Sequence, residues 1–205
     1  MSLCPSPSRR MASVPARALP VLFLSVLLLA ALIAGCNPFT TAYKVAVDPR
    51  EASVQAKDKE IANTVLARFA SEFGTGVLDI EPYAYAGRVY LVGQYEKAER
   101  KDRAVELARS VDGVKNVKTY VMLKRDVAGC SAAQNFALAK EIGTRLLADP
   151  DVPGTNIDVA TVQCTAVLLG LVSTQDEAAR AIEITKKVSG VRKVTSFVRP
   201  YRPGS

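Results

Sequence analysis

Few residues in this chain could carry chemistry. It has four cysteines and no histidine, so the commonest general base and metal ligand is missing. The carboxylate pair Asp176-Glu177 falls at a predicted helix start, where acidic groups suit the helix dipole. No activating base stands near a cysteine in the sequence. The expectation is therefore no enzyme, no catalytic residue, no metal site and no cofactor. The cysteines themselves are more informative. Cys36 closes the stretch Leu32-Ile33-Ala34-Gly35-Cys36, after an uncharged apolar run that begins near Ala18 and is preceded by Arg9, Arg10 and Arg17. Small residues and a cysteine at the end of such a segment look like a lipobox, where a peptidase cleaves before the cysteine and its thiol takes a diacylglycerol. Met11 would also serve as a start. The competing reading is an uncleaved membrane helix, but Ala18 to Gly35 is short against the roughly 20 residues a span needs. Lipid at Cys36 would export the chain and tie it to a membrane, and Asn37 in place of an Asp favours the outer membrane.

Export changes the meaning of the charge. The full chain carries 27 Lys+Arg and 20 Asp+Glu, a formal +7. Loss of residues 1–35 removes three arginines and no acids, leaving a net +4. That is a mixed surface, not a nucleic-acid-binding tract, and no nucleic-acid partner is expected. Cys4 leaves with the signal. Cys130 and Cys164 remain as an even pair, in a compartment that oxidises thiols.

These cysteines must be positioned by something, and an internal repeat supplies it. One unit occurs twice, offset by 77 residues without a gap. The first copy reads Gly87-Arg88-Val89-Tyr90-Leu91-Val92-Gly93 and later Asp112-Gly113-Val114-Lys115-Asn116-Val117. The second reads Cys164-Thr165-Ala166-Val167-Leu168-Leu169-Gly170 and later Ser189-Gly190-Val191-Arg192-Lys193-Val194. Ile61, Val65 and Phe69 are in step with Leu138, Ile142 and Leu146. Two copies are too few for a solenoid, so each should be a small domain with its own core.

Periodicity within a copy predicts its elements. Ile61, Val65, Phe69 and Phe73 recur every four residues, one stripe of a helix, with Asp58 as the expected N-cap and Gly74 as the stop. Ile80–Tyr85 and Val89–Gln94 read as strands joined at Ala86-Gly87. Val89 to Val92 is apolar on both faces, which predicts a central strand. Ala104, Leu107, Ala108 and Val111 mark a second helix, and Val117–Leu123 a last strand. The second copy predicts helices near 132–147 and 175–189 and strands at 157–163, 166–171 and 194–199. The fold class expected is α+β: two tandem αββαβ domains, each a three-stranded sheet covered by two helices. Cys164 falls in the turn between two strands and Cys130 just before a helix, so both should come to the same end of the second domain. A bridge there would stabilise it by about 3–4 kcal/mol; two buried or free thiols are the alternative.

The signal, the lipobox at Cys36, Asp48-Pro49-Arg50 before the first copy, and the doubled strand–helix–strand motif together resemble the BON-domain proteins. The order of parts is similar to that of their dual-domain outer-membrane lipoproteins. The resemblance implies a non-enzymatic protein, lipid-anchored at the periplasmic face of the outer membrane, that supports envelope integrity and binds anionic phospholipid through its second domain. It implies an aromatic residue on that domain's first helix. The aligned position here is Ala137, with Phe136 beside it, so Phe136 is either the membrane contact or an ordinary staple or core residue. Lys140 on the same helix and the cluster Lys186, Lys187, Arg192 and Lys193 are candidate headgroup contacts; the competing reading of the cluster is a solvated helix end. The alternative function is a structural adaptor that binds a protein partner in an envelope secretion or division complex. The expected organisation is a signal at 1–35, a lipidated linker at 36–56, domains at 57–125 and 130–199, and a disordered tail at 200–205.

Overall fold

A computed structural model describes residues 48–74, 79–128 and 130–203. The signal segment, Cys36 and the first part of the linker lie outside the described residues. Among those described, no helix is long and apolar enough to cross a membrane.

The first copy folds as α1 (Ala52–Phe73), β1 (Asp79–Tyr85), β2 (Arg88–Tyr95), α2 (Ala98–Arg109) and β3 (Asn116–Leu123). The second folds as α3 (Ala132–Ala148), a short 3₁₀ turn (Gly154–Asn156), β4 (Ile157–Val162), β5 (Thr165–Val172), α4 (Gln175–Lys186), β6 (Lys193–Ser196) and β7 (Arg199–Pro200). Each copy is αββαβ, as the periodicity predicts. In each sheet the first two strands are antiparallel and the return strand is parallel to the middle one, so β2 and β5 are central.

Two expectations at the ends of the repeat need correction. α1 begins at Ala52, inside the stretch read as linker, and Asp58 is not its N-cap but a buried residue within the helix. The C-terminal tail is not loose at its start. The last strand is interrupted at Phe197-Val198, yet Arg199-Pro200 keeps register against Leu171-Val172. The Tyr201 N–H then donates to the Val172 carbonyl at 2.9 Å.

The central strands explain how the copies assemble. On one face of β2, Val89 and Leu91 pack under α1 and α2 with Ile61, Val65, Phe69, Ala104 and Ala108. On one face of β5, Ala166 and Leu168 pack likewise against Ile142, Leu146, Ala178 and Ala181. The opposite faces meet each other. Tyr90 and Val92 of β2, with Tyr85, pack against Val162, Val167, Leu169 and Leu171. Tyr90 lies 5.1 Å from Phe197, centroid to centroid, and 5.9 Å from Tyr85. Fully burying a large apolar side chain is worth about 1.5–3 kcal/mol, so seven or more at this seam join the copies into one compact body. The layers run helices, sheet, sheet, helices. Polar groups fix the register at the edges: the Tyr85 hydroxyl donates to Asp158, and Gln163 Nε2 donates to Gln94 Oε1 at 2.9 Å and to the Leu123 carbonyl at 2.8 Å.

Close backbone approach fixes one glycine in each sheet. A Cβ on Gly93 would sit 1.7 Å from the Asp79 carbonyl oxygen, and one on Gly170, its repeat partner, 2.2 Å from that of Asn156. Both adopt a positive φ that side chains resist. An ion pair also recurs at the offset of 77. Arg103 reaches from α2 to Glu72 on α1 at 2.8 Å, and Arg180 reaches from α4 to Asp149 at 2.8 Å. The hydrogen bond from each arginine holds its carboxyl below the usual carboxylate range. Such half-exposed pairs contribute little stability; they orient the two helices of each layer.

Candidate functional site

α3 carries the site. Its start is fixed by a reciprocal cap: Gln134 N–H donates to Ser131 Oγ at 3.3 Å, and Ser131 N–H to Gln134 Oε1 at 2.9 Å. One face turns inward through Ile142 and Leu146, with half-buried Leu138 beside them. At about 100° per residue, Phe136, Ala139, Gly143 and Leu147 form a second apolar stripe on another face. Phe136 is 65% exposed and Leu147 is 61% exposed, so Phe136 is not a core residue. A Cβ built on Gly143 meets nothing within 4 Å. The Lys140 ammonium lies 5.4 Å from the centre of the Phe136 ring, so a cation sits directly on the stripe. Across a groove stand Tyr83 on β1 and Leu66 on α1, the latter 52% exposed.

The basic cluster is not joined to this stripe. Lys186, Lys187, Arg192 and Lys193 are exposed at the end of α4 and the start of β6. The Gly190 turn between them lies against Leu138, which is about 200° around α3 from Phe136. Arg192 is occupied: its N–H donates to the Cys164 carbonyl at 2.9 Å, and its Nη2 to the Ala128 carbonyl at 2.5 Å. Cys130 and Cys164 are together, with sulfurs 2.04 Å apart and Cα atoms 5.4 Å apart.

A polar clamp holds each hairpin turn to the helix before it. In the first copy, Asp58 is 3% exposed. Its carboxylate accepts from Ala86 N–H at 2.7 Å, Gly87 N–H at 2.8 Å and Arg50 Nη1 at 2.5 Å. Arg50 also donates to Asp48 at 2.6 Å and lies 5.3 Å from the centre of the Tyr85 ring. Desolvation alone would make Arg50 easier to deprotonate; the bonds and charges of Asp48 and Asp58 outweigh it and raise its pKa. In the second copy the repeat partner of Asp58 is Asn135. Its Oδ1 accepts from Cys164 N–H at 2.9 Å, while its Nδ2 donates to the Cys130 carbonyl at 2.9 Å.

Sequence reasoning missed Leu147, Leu66 and the Asp58 clamp. The spacing 136, 139, 143, 147 is the signal that could have found the stripe. The clamp had no local signature, because its partners are 28 and 29 residues away.

A family model, the BON domain, matches residues 57–124 and again 134–199. The chain belongs to the BON domain family. Among its relatives is the outer membrane lipoprotein DolP of Haemophilus influenzae, 30% identical over 156 residues, or 75% of this chain and 79% of that protein. The osmotically-inducible protein Y of Escherichia coli is 34% identical over 113 residues, covering 54% of this chain and 56% of that one. A solved structure of CdsD, a structural protein of the type III secretion system of Chlamydia trachomatis, aligns at 13% identity with a TM-score of 0.30, over 71% of this chain and 95% of that one.

Proposed function

We propose that this chain is a lipid-anchored envelope protein whose second BON domain docks onto anionic phospholipid through α3. The tether is an acyl group on Cys36, at the periplasmic face of the outer membrane. The DolP relative, an outer membrane lipoprotein, supports that placement. The observation that carries the docking is the stripe of Phe136 and Leu147, both more than half exposed, with Lys140 on it. Inserting one such side chain is worth roughly 1.5–3 kcal/mol, and each cation near anionic headgroups adds about 1 kcal/mol. The basic cluster around α4 adds long-range attraction and not direct insertion. The sum is weak for a free protein, but the anchor supplies a high effective concentration. The role is non-enzymatic and supports envelope integrity.

Flotation of residues 42–205 with phosphatidylglycerol or phosphatidylcholine vesicles tests this. Binding should follow the anionic fraction, weaken with salt and fall about tenfold or more in Phe136→Ser/Leu147→Ser, since 1.4 kcal/mol is one decade. Binding indifferent to lipid charge and to both substitutions, with a protein crosslinked to the groove in cells, would replace this reading with that of an adaptor.

A further inference from the structure

The two copies fasten the same joint by different chemistry. In the first, Asp48 holds Arg50, Arg50 binds Asp58, and Asp58 holds the Ala86-Gly87 turn. At the offset of 77 these positions become Arg125, Val127, Asn135 and Gln163-Cys164. The ion pairs are gone, and the Asn135 side chain accepts from one turn N–H, that of Cys164, where Asp58 accepts from two. In their place Cys130 and Cys164 join the same two segments, standing where the first copy has Ser53 and Gly87. The covalent clamp lies two residues before α3 and six before Phe136.

We propose that Cys130–Cys164 is a redox latch on the docking helix. When oxidised, it pins the first turn of α3 to the β4–β5 turn and sets Phe136 and Lys140 on the surface. When reduced, that turn keeps noncovalent ties alone, among them the hydrogen bonds of Asn135 with Cys164 and Cys130, Thr161 Oγ1 to the Asn135 carbonyl at 2.6 Å, Arg192 N–H to the Cys164 carbonyl, and the Ser131 cap. Apart from the two cysteines, the groups involved are part-exposed or exposed, where water competes. The first copy has no such dependence, because its clamp is ionic. The chain thus completes its docking face only after reaching an oxidising compartment. Both cysteines are under 10% exposed, so the latch, once closed, is shielded from bulky thiols. Opening it takes a dithiol reductant, which gives two electrons and two protons to the bridge, leaving two thiols and itself becoming a cyclic disulfide. The effect on docking rests on the phospholipid reading above; the effect on α3 does not.

The test is amide hydrogen exchange of the purified mature protein, oxidised, reduced with dithiothreitol, and as Cys130→Ser/Cys164→Ser. Exchange in residues 131–137 should rise about tenfold or more without the bridge, by local opening, while residues 52–60 of the first copy stay unchanged and serve as the control for global unfolding. Removal of the reductant under air should restore protection. Unchanged exchange at 131–137 in both the reduced protein and the variant overturns the latch. Phosphatidylglycerol vesicles with the anchor-free residues 42–205 supply the second arm. Oxidised protein should bind severalfold more tightly than reduced, and Phe136→Ser should erase the difference. Equal binding by both states, with exchange faster in the reduced one, overturns the link to docking. Absence of vesicle binding by the oxidised protein refutes the phospholipid reading alone, and exchange then decides the latch.

Discussion

Asp58 offers the sharpest test of how the first domain is held. In Asp58→Ala, the Ala86 and Gly87 N–H groups lose their acceptor in a site where Asp58 itself is 3% exposed. Each orphaned buried donor costs about 1–3 kcal/mol. Arg50 keeps Asp48, to which its Nε, Nη2 and backbone N–H all donate at 2.6–3.0 Å, so its charge is not stranded. The expected loss is therefore about 3–5 kcal/mol. Asp58→Asn keeps one acceptor oxygen and turns a donor toward the other partners, so it should cost about half as much. Asn135→Ala removes the side-chain acceptor of one backbone N–H, that of Cys164, and should cost about 1 kcal/mol. Urea unfolding with unchanged slopes and shifted midpoints gives all three values. A loss under 1 kcal/mol for Asp58→Ala, or Asp58→Asn costing as much as Asp58→Ala, would refute the two-acceptor account.

The seam between the sheets has its own signatures. Burial first, then Asp158, pushes the Tyr85 hydroxyl well above its ordinary pKa. The folded protein keeps this proton when the unfolded chain releases it near pH 10. The resulting stability is complete below that pH and is lost as pH rises beyond it. Urea midpoints from pH 8 to 11 should fall on the alkaline side, and Tyr85→Phe should flatten that fall; an unaltered alkaline limb would exclude Tyr85 as its source. Arg199 Nε and Nη2 are buried without a partner, where the first copy places Met122 in the seam. Arg199→Met should therefore raise the urea midpoint, by about 1–3 kcal/mol, and a lowered midpoint would mean that the guanidinium makes a contact the seam needs.

The αββαβ order was legible because each element keeps a clean period: Ile61, Val65 and Phe69 at helical spacing, and apolar strands broken by turn residues. The place of Cys130 and Cys164 at one end also followed, since an antiparallel return brings the strand end back to the helix start. What stayed hidden was nonlocal. Val89 to Val92 is apolar on both faces, and that pattern reads as a central strand. It could not show that the second face of β2 packs against β5 of the other copy. Asp58 looked like a helix cap because acidic residues favour that position; its true partners are a turn 28 residues on. Phe136 was ambiguous because one aromatic on an amphipathic helix fits either face. Burial settled it only once α3 was seated on Ile142 and Leu146.

The shared seam also bears on how such a chain can be dissected. Each sheet leaves one flank greasy for its twin to cover, with Tyr85, Tyr90 and Val92 on one side and Val167, Leu169 and Leu171 on the other. A fragment cut between the repeats would uncover that flank and acquire a stickiness the intact protein lacks. Deleting one half would thus report the behaviour of a newly bared surface, and only point changes that leave the seam shut can assign a role to either repeat.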